Sequence, residues 1–259
     1  MTKLIFQTWK EDPTGILKKC ADSWKEYNPD WEYVFLNDKE LSNIVKKINP
    51  GIFYKYENDP IYIKKFDAYR YAYIYEFGGL YADIDIICHR SIDSLISPNK
   101  GILFQEYPCG KVFADTGSVY QDDILTNSIF YFNPKDKFLK RLLYDLENYT
   151  DKINKVINLK DPNDYDNLSV IVETGPIFLT KTFKKYGILN KHVTVEPYSR
   201  FEFYSKEQRK QMTKNGCILV NSESYGTHLN VGSWVMGKNK PFSYYTEISN
   251  IYNLSSCYL

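Results

Sequence analysis

The stretch from Asp59 to Ile87 constrains the fold more than any other part of the chain. Asp59 is a good helix N-cap, Pro60 suits the first helical turn and Gly78 suits the C-terminal exit. Between them Ile63, Phe66, Tyr71 and Ile74 supply much of an apolar face, so the pattern predicts a helix. Gly79 follows, and Leu80 to Ile87 then reads as a strand. Its alternation sends Leu80, Ala82, Ile84 and Ile86 to one side and Tyr81, Asp83 and Asp85 to the other. The residues upstream supply earlier layers. Lys3 to Phe6 reads as a short buried strand with Gln7, Thr8 and Trp9 at its carboxyl end. Gly15 to Tyr27 carries a helical stripe of Ile16, Leu17, Cys20, Trp24 and Tyr27, broken by Asn28-Pro29-Asp30. Trp31 to Leu36 alternates as a strand, and Asn37-Asp38 caps the next helix. Strand, helix, strand, helix opens a parallel sheet covered by helices, an α/β fold.

The second half is written less sharply. Ser128 to Phe132 and Leu168 to Val172 read as strands, Lys135 to Asn148 as a helix, and Asp161 to Asn167 as an exposed loop. Thr174-Gly175-Pro176 forms a turn with a helix after it. Lys206 to Lys214 reads as a short helix and Cys217 to Val220 as a short strand. No repeat or linker divides the 259 residues, a length that suits one α/β domain burying about three quarters of its unfolded surface. The expected organisation is a single domain over 1–259, with 237–259 an unassigned C-terminal tail. Net charge is +1, which argues against a nucleic-acid binder. The five cysteines show no CxxC spacing and read as reduced thiols of a cytosolic protein. Neither a signal-peptide core nor an apolar run of about 18 residues is present, so no transmembrane segment is expected.

Asp83 and Asp85 carry the chemical argument. Two apart on a strand, they project to one side, and two carboxylates about 4 Å apart repel by roughly 4 kcal/mol at an effective dielectric of 20. A hard divalent cation offsets that repulsion and keeps coordination sites for phosphates. Two solvated acids at a strand end would be the bland alternative, but aspartates are poor strand formers and these sit in an apolar strand. Asp67 and Arg70 share one helical face. As an isolated pair they read as a salt bridge at the core edge; converging with the following strand, they suit gripping a sugar hydroxyl. His228 precedes Asn230, Ser233 and Trp234, which together offer a metal ligand, a phosphate hydrogen bond and a stacking face. A neutral imidazole suits manganese better than calcium or magnesium. Trp9, at a strand end, has a nucleobase to stack on or a core to fill. The 24 Tyr, 15 Phe and 4 Trp decide nothing by number alone.

Other chemistries fit less well. The chain has no Gly-x-x-x-x-Gly-Lys-Ser/Thr phosphate loop and no Gly-x-Ser-x-Gly elbow. A nucleotidyltransferase would also pair aspartates with a metal, but Gln7 to Gly15 is not its Gly-rich basic loop. A glycoside hydrolase needs carboxylates about 5 to 9 Å apart, wider than adjacent strand positions place Asp83 and Asp85. A non-catalytic carbohydrate-binding protein would leave the aspartates without a purpose.

Taken together, the motifs resemble glycosyltransferase family 32, the DXD-containing sugar transferases, a group related to initiating mannosyltransferases and capsular polysaccharide transferases. Phe6-Gln-Thr-Trp-Lys10 is similar to the family's His-Gln-Thr-Trp start, with Phe6 in place of the histidine. Lys65 to Asp85 matches the central block, in which Asp-x-x-Arg precedes Gly-Gly-x-Tyr-x-Asp-x-Asp. Asn127, Thr174-Gly175-Pro176 and His228 to Trp234 resemble later blocks in order, so the likeness covers residues 1 to about 236.

The resemblance implies a GT-A fold, a Rossmann-like central sheet with flanking helices and the donor at the carboxyl ends of its strands. It implies retaining transfer of a hexose from a UDP- or GDP-sugar to a glycan or glycoprotein acceptor. Asp83 and Asp85 then hold Mn²⁺ or Mg²⁺, with His228 or Ser233 as the third protein ligand. Asp67 and Arg70 orient the donor sugar, and Gln7, Thr8, Trp9, Asn127, Gly175, Ser233 and Trp234 complete the donor site. A bacterial or viral enzyme acting in the cytoplasm is the expected setting.

Overall fold

The computed structural model describes residues 1–106, 124–149, 165–186, 191–203, 217–220, 223–229 and 255–258. The chain opens with β1 (Leu4–Trp9), α1 (Gly15–Tyr27), β2 (Glu32–Asn37), α2 (Asp38–Ile48) and α3 (Pro50–Tyr56). Next come α4 (Tyr62–Phe77), β3 (Gly79–Ala82), β4 (Ile86–Cys88), β5 (Gly101–Gln105) and β6 (Leu125–Phe132). Helices α5 (Lys137–Asn148), α6 (Tyr165–Glu173) and α7 (Pro176–Tyr186) follow. The remaining strands are β7 (Val193–Glu196), β8 (Phe201–Phe203), β9 (Cys217–Val220), β10 (Gly226–His228) and β11 (Ser255–Tyr258). Among the described residues no helix is long and apolar enough to cross a membrane.

The main sheet has the order β2-β1-β3-β6-β5-β7. Its pairs are parallel except those made by β6, which runs antiparallel to both β3 and β5. The carboxyl ends of β1, β3 and β5 therefore share an edge with the start of β6. A smaller sheet, β4-β10-β8, lies beyond that edge. Alternation along the strands builds a core on each face of the main sheet. Phe6, Tyr81, Phe130 and Phe132 pack under α2 to α5 and α7. Ile5, Leu80, Ala82, Ile129 and Tyr131 face Trp24, Trp31, Phe201 and Tyr225. Much of the aromatic content is thus core. Phe6 stacks on Tyr73 at 4.0 Å between ring centroids, and Tyr71 on Phe130 at 5.3 Å. Position 6, the place of the resembled family's histidine, points into this layer and away from the carboxyl edge.

Local signals explain the best-defined elements. Asn37 caps α2 through a reciprocal capping box with Glu40. Gly78 ends α4 with φ 71°, and Gly79 continues at φ 108°, both in the left-handed region that favours glycine. A Cβ on Gly79 would lie 2.5 Å from the Leu4 carbonyl oxygen. Only a bare backbone can leave the helix and enter the sheet centre at once.

The structure departs from the sequence reading at four places. Helix α4 starts at Tyr62, because the Asp59 carboxylate accepts from the Ile61 N–H and closes a turn before the helix. Its buried surface is not one stripe: Lys64 is buried in a 2.7 Å ion pair with Glu173, and Ile63 is half-buried. Leu168 to Val172 is helical, within α6, where Val170, Ile171 and Val172 are buried; packing overrides the strand preference of that run. The strand expected over 80–87 stops at Ala82, turns through Asp83 to Asp85 and resumes as β4 in the other sheet. In the expected tail, β11 pairs in parallel with β9. The helix expected over Lys206 to Lys214 lies outside the described residues.

Replacing Gly79 by Ala forces both the left-handed backbone and the contact with Leu4. Urea denaturation of Gly79→Ala is expected to show a loss on the order of 2 kcal/mol; an unchanged midpoint would show that the helix-to-strand junction relaxes freely.

Candidate active site

The Asp83 to Asp85 turn lies at the carboxyl edge of the main sheet. The Asp83 N–H donates to the Ser128 carbonyl at 2.8 Å, extending the β3–β6 ladder by one bond. The Ile86 N–H then donates to the Asp83 carbonyl at 3.0 Å and closes the turn. On its far side the Leu229 N–H donates to the Asp85 carbonyl, which brings the end of β10 alongside. One atom each from Asp83, Asp85 and His228 lie within 4.8 Å of one another. The aspartates meet His228 through a turn, then, and not through the pleat of a continuous strand.

Arg70, on α4, occupies the inner wall. One terminal nitrogen donates to Asp83 Oδ1 at 3.0 Å and to the Asn127 carbonyl at 3.1 Å; the other lies 3.0 Å from Asp67 Oδ1. Its Nε donates to the Phe66 carbonyl at 3.3 Å, and the guanidinium lies 4.6 Å from the Tyr81 ring centroid. Asp67 is held from two further directions. Asn127 Nδ2 donates to Oδ1 at 3.0 Å and Thr174 Oγ1 to Oδ2 at 2.9 Å. The Tyr81 hydroxyl donates to Asp83 Oδ1 at 2.5 Å. Asp67 and Arg70 do form a salt bridge, but one that extends through Arg70 into the aspartate turn.

Burial pushes the Asp67 and Asp83 carboxyls up, against the pull of Arg70 toward the ionised form. Asp83 keeps 26% of its side-chain exposure, so it is the member of this cluster that faces outward. His228 Nε2 lies 3.2 Å from Asp85 Oδ1. Burial works against its charge, but Asp85 and Asp83 outweigh it and raise the imidazole to about 9. Arg70 on one side and His228 on the other thus set positive charge against the two acids. Two carboxylates and an imidazole are a donor set that suits a divalent cation, and binding would displace the His228 proton.

The other residues singled out from sequence fall in three places. Gln7 joins the site from behind: fully buried, it donates from Nε2 to the Asp83 carbonyl at 2.9 Å and accepts from the Tyr33 hydroxyl at 2.8 Å. Thr8 turns its hydroxyl to the Leu36 carbonyl, and Trp9 is half-buried at the edge with Lys10 Nζ 5.6 Å from its ring centroid. Gly175 is buried against α6, its N–H bonded to the Val170 carbonyl, so its close approach is to protein backbone. Ser233 and Trp234 lie outside the described residues, as does Asn230. The sequence reading did not single out Tyr81, Thr174 or Tyr33 as site residues. Tyr81 had a signal, since it shares the side of Asp83 two residues on; Thr174 and Tyr33 need the packed fold to be found.

Residues 16–102 match the protein family described as glycosyltransferase sugar-binding region containing DXD motif. This segment is similar to the DXD-containing glycosyltransferases. The DXD region thus spans α1 through the aspartate turn to the start of β5. Curated relatives include inositol phosphoceramide mannosyltransferase 1 of Schizosaccharomyces pombe, 28% identical over 197 residues, covering 74% of this chain and 54% of that protein. Another is the initiation-specific alpha-1,6-mannosyltransferase of Candida albicans, 30% identical over 118 residues, covering 42% of this chain and 31% of that one. The chain spans about half or less of the length of such relatives. The UDP-bound glycosyltransferase domain of the YGT toxin shares the fold, with a TM-score of 0.51 at 10% identity over 75% of this chain and 79% of that one. The architecture around the DXD turn is the GT-A fold.

Arg70 compensates two buried carboxylates, so Arg70→Met is expected to destabilise the protein by about 3 to 5 kcal/mol, with Arg70→Lys between it and wild type. Chemical denaturation of the three proteins checks this. Equal stability of Arg70→Met and wild type would mean that the carboxylates find another partner.

Proposed function

We propose that this chain is a metal-dependent, retaining glycosyltransferase that moves a hexose from a nucleotide-sugar donor to a glycan or glycoprotein acceptor. The observation that carries the proposal is the convergence of Asp83, Asp85 and His228 at the carboxyl edge of the sheet, beside the Asp67–Arg70 pair. Open α/β sheets bind their ligands at that edge. The names of the curated relatives favour mannose among the hexoses.

In this reading Asp83, Asp85 and His228 hold Mn²⁺ or Mg²⁺, and Ser233 is a further candidate ligand. Bound there, the ion would supply Lewis-acid neutralisation of the charge on the departing nucleoside diphosphate. Arg70 favours the ionised form of the Asp83 carboxylate and fixes its orientation. Asp67, Arg70 and Asn127 form the wall against which the donor sugar is oriented; a sugar hydroxyl reaching Asp67 or Arg70 exchanges for one of their present hydrogen bonds. Trp9, half-buried at the edge with a lysine beside it, stands where a base can stack, and Trp234 is assigned to the phosphates or sugar. The acceptor hydroxyl attacks from the face that the leaving group vacates, and the departing phosphate oxygen takes its proton. No separate protein base is assigned. The enzyme is placed in the cytoplasm.

The test is turnover of a panel of GDP- and UDP-sugars, with and without Mn²⁺, by wild type and Asp85→Asn. One donor is expected to be hydrolysed slowly in a Mn²⁺-dependent way and transferred faster when an acceptor glycan is added. Asp85→Asn is expected to lower the rate by about two orders of magnitude. Glycan binding with no nucleotide-sugar binding under any metal condition would reject the proposal in favour of a carbohydrate-binding protein.

A further inference from the structure

Gln7 has a role in this structure that its place at a sheet edge does not suggest. It is 0% exposed, so no donor molecule reaches its amide in this conformation. The backbone register between β1 and β3 pairs Ile5 with Leu80 and Phe6 with Tyr81 and goes no further. One residue beyond, where the chain leaves the sheet for the aspartate turn, the Gln7 side chain takes over and reaches the Asp83 carbonyl. That carbonyl also accepts the Ile86 N–H that closes the turn. The amide orientation follows from the chemistry. A carbonyl oxygen only accepts, so Nε2 must face Asp83 and Oε1 must face outward along the sheet. There the Tyr33 hydroxyl, on β2, donates to it at 2.8 Å. The result is a hydrogen-bonded chain across three adjacent strands, from β2 through β1 to the end of β3.

We propose that Gln7 is a positioning residue that sets the aspartate turn for cation binding, with Tyr33 fixing the orientation of its amide. The inference rests on the cation site of the proposed function. It replaces a direct role of Gln7 in contacting the donor with one exerted through the Asp83 backbone. Asp83 is held at its carboxylate by Arg70 and Tyr81, at its N–H by Ser128 and at its carbonyl by Gln7. Of these, the Gln7 bond is the one that joins the turn to β1.

The experiment measures binding of Mn²⁺ alone, by the electron paramagnetic resonance of the free ion, together with thermal unfolding and the KM for the nucleotide sugar. The proteins are wild type, Gln7→Met, which keeps the volume and removes both polar ends, and Tyr33→Phe, which removes only the orienting donor. Gln7→Met is expected to bind Mn²⁺ about tenfold or more weakly, and Tyr33→Phe to show a smaller loss in the same direction. Wild-type Mn²⁺ affinity in Gln7→Met with a raised KM would overturn the inference and make Gln7 a donor contact. If Gln7→Met does not fold, Tyr33→Phe decides, and unchanged Mn²⁺ affinity in it overturns the inference. Failure of the wild type itself to bind Mn²⁺ would overturn the cation site and this inference together, a result distinct from the other two.

Discussion

A buried guanidinium between two carboxylates organises this molecule. Removing a charged group from water costs several kcal/mol unless partners with good geometry compensate it, and Arg70 meets that condition only where α4, β3 and β6 come together. Its planar fork fixes directions as well as charge, reaching Asp67 within its own helix, Asp83 at the end of β3 and the Asn127 carbonyl on β6. Thr174, which follows α6, completes the hydrogen bonds to Asp67. Elements distant in sequence are thereby held to one geometry by a single side chain.

The turn that follows depends on this arrangement. A carboxylate pair at a sheet edge repels itself, and the structure relieves the repulsion from opposite sides. Arg70 is the inner and permanent partner of Asp83. His228 is the outer partner of Asp85, and it changes from a protonated counter-ion to a neutral ligand if a cation arrives. The division places the fixed positive charge in the core and the exchangeable one at the rim. It also gives meaning to the second sheet, whose β10 brings His228 to the turn through its pairing with β4.

Much of the frame was legible in the residues because local signals and tertiary packing agree there. Helix α1 spans Gly15 to Tyr27 as its apolar stripe indicates, Asn37 caps α2, and Gly78 ends α4. Agreement fails where packing decides. The alternation of Leu80, Ala82, Ile84 and Ile86 suits an unbroken strand, yet the backbone leaves the sheet at Asp83, because Ile86 pairs with His228 in another sheet and no period within the segment records that partner. The β-branched run at Val170 to Val172 suits a strand and is helical. In the site, the approach of Asp67, Arg70 and Asp83 was readable from spacing. The family resemblance implied a donor contact for Gln7, whereas the fold buries it and bonds it to Tyr33 of the neighbouring strand, a contact no local pattern records.

The Asp83–Asp85 turn and His228 are proposed to form one cation site, and diffraction can locate an ion bound there. Crystals of the protein soaked in Mn²⁺ with a nucleoside diphosphate, measured at the manganese absorption edge, would locate the ion without reference to activity. One anomalous peak is expected, bonded to Asp83, Asp85 and His228, with Arg70 still on Asp83. A peak elsewhere, or none at this turn while the nucleotide is bound, would contradict the proposed site.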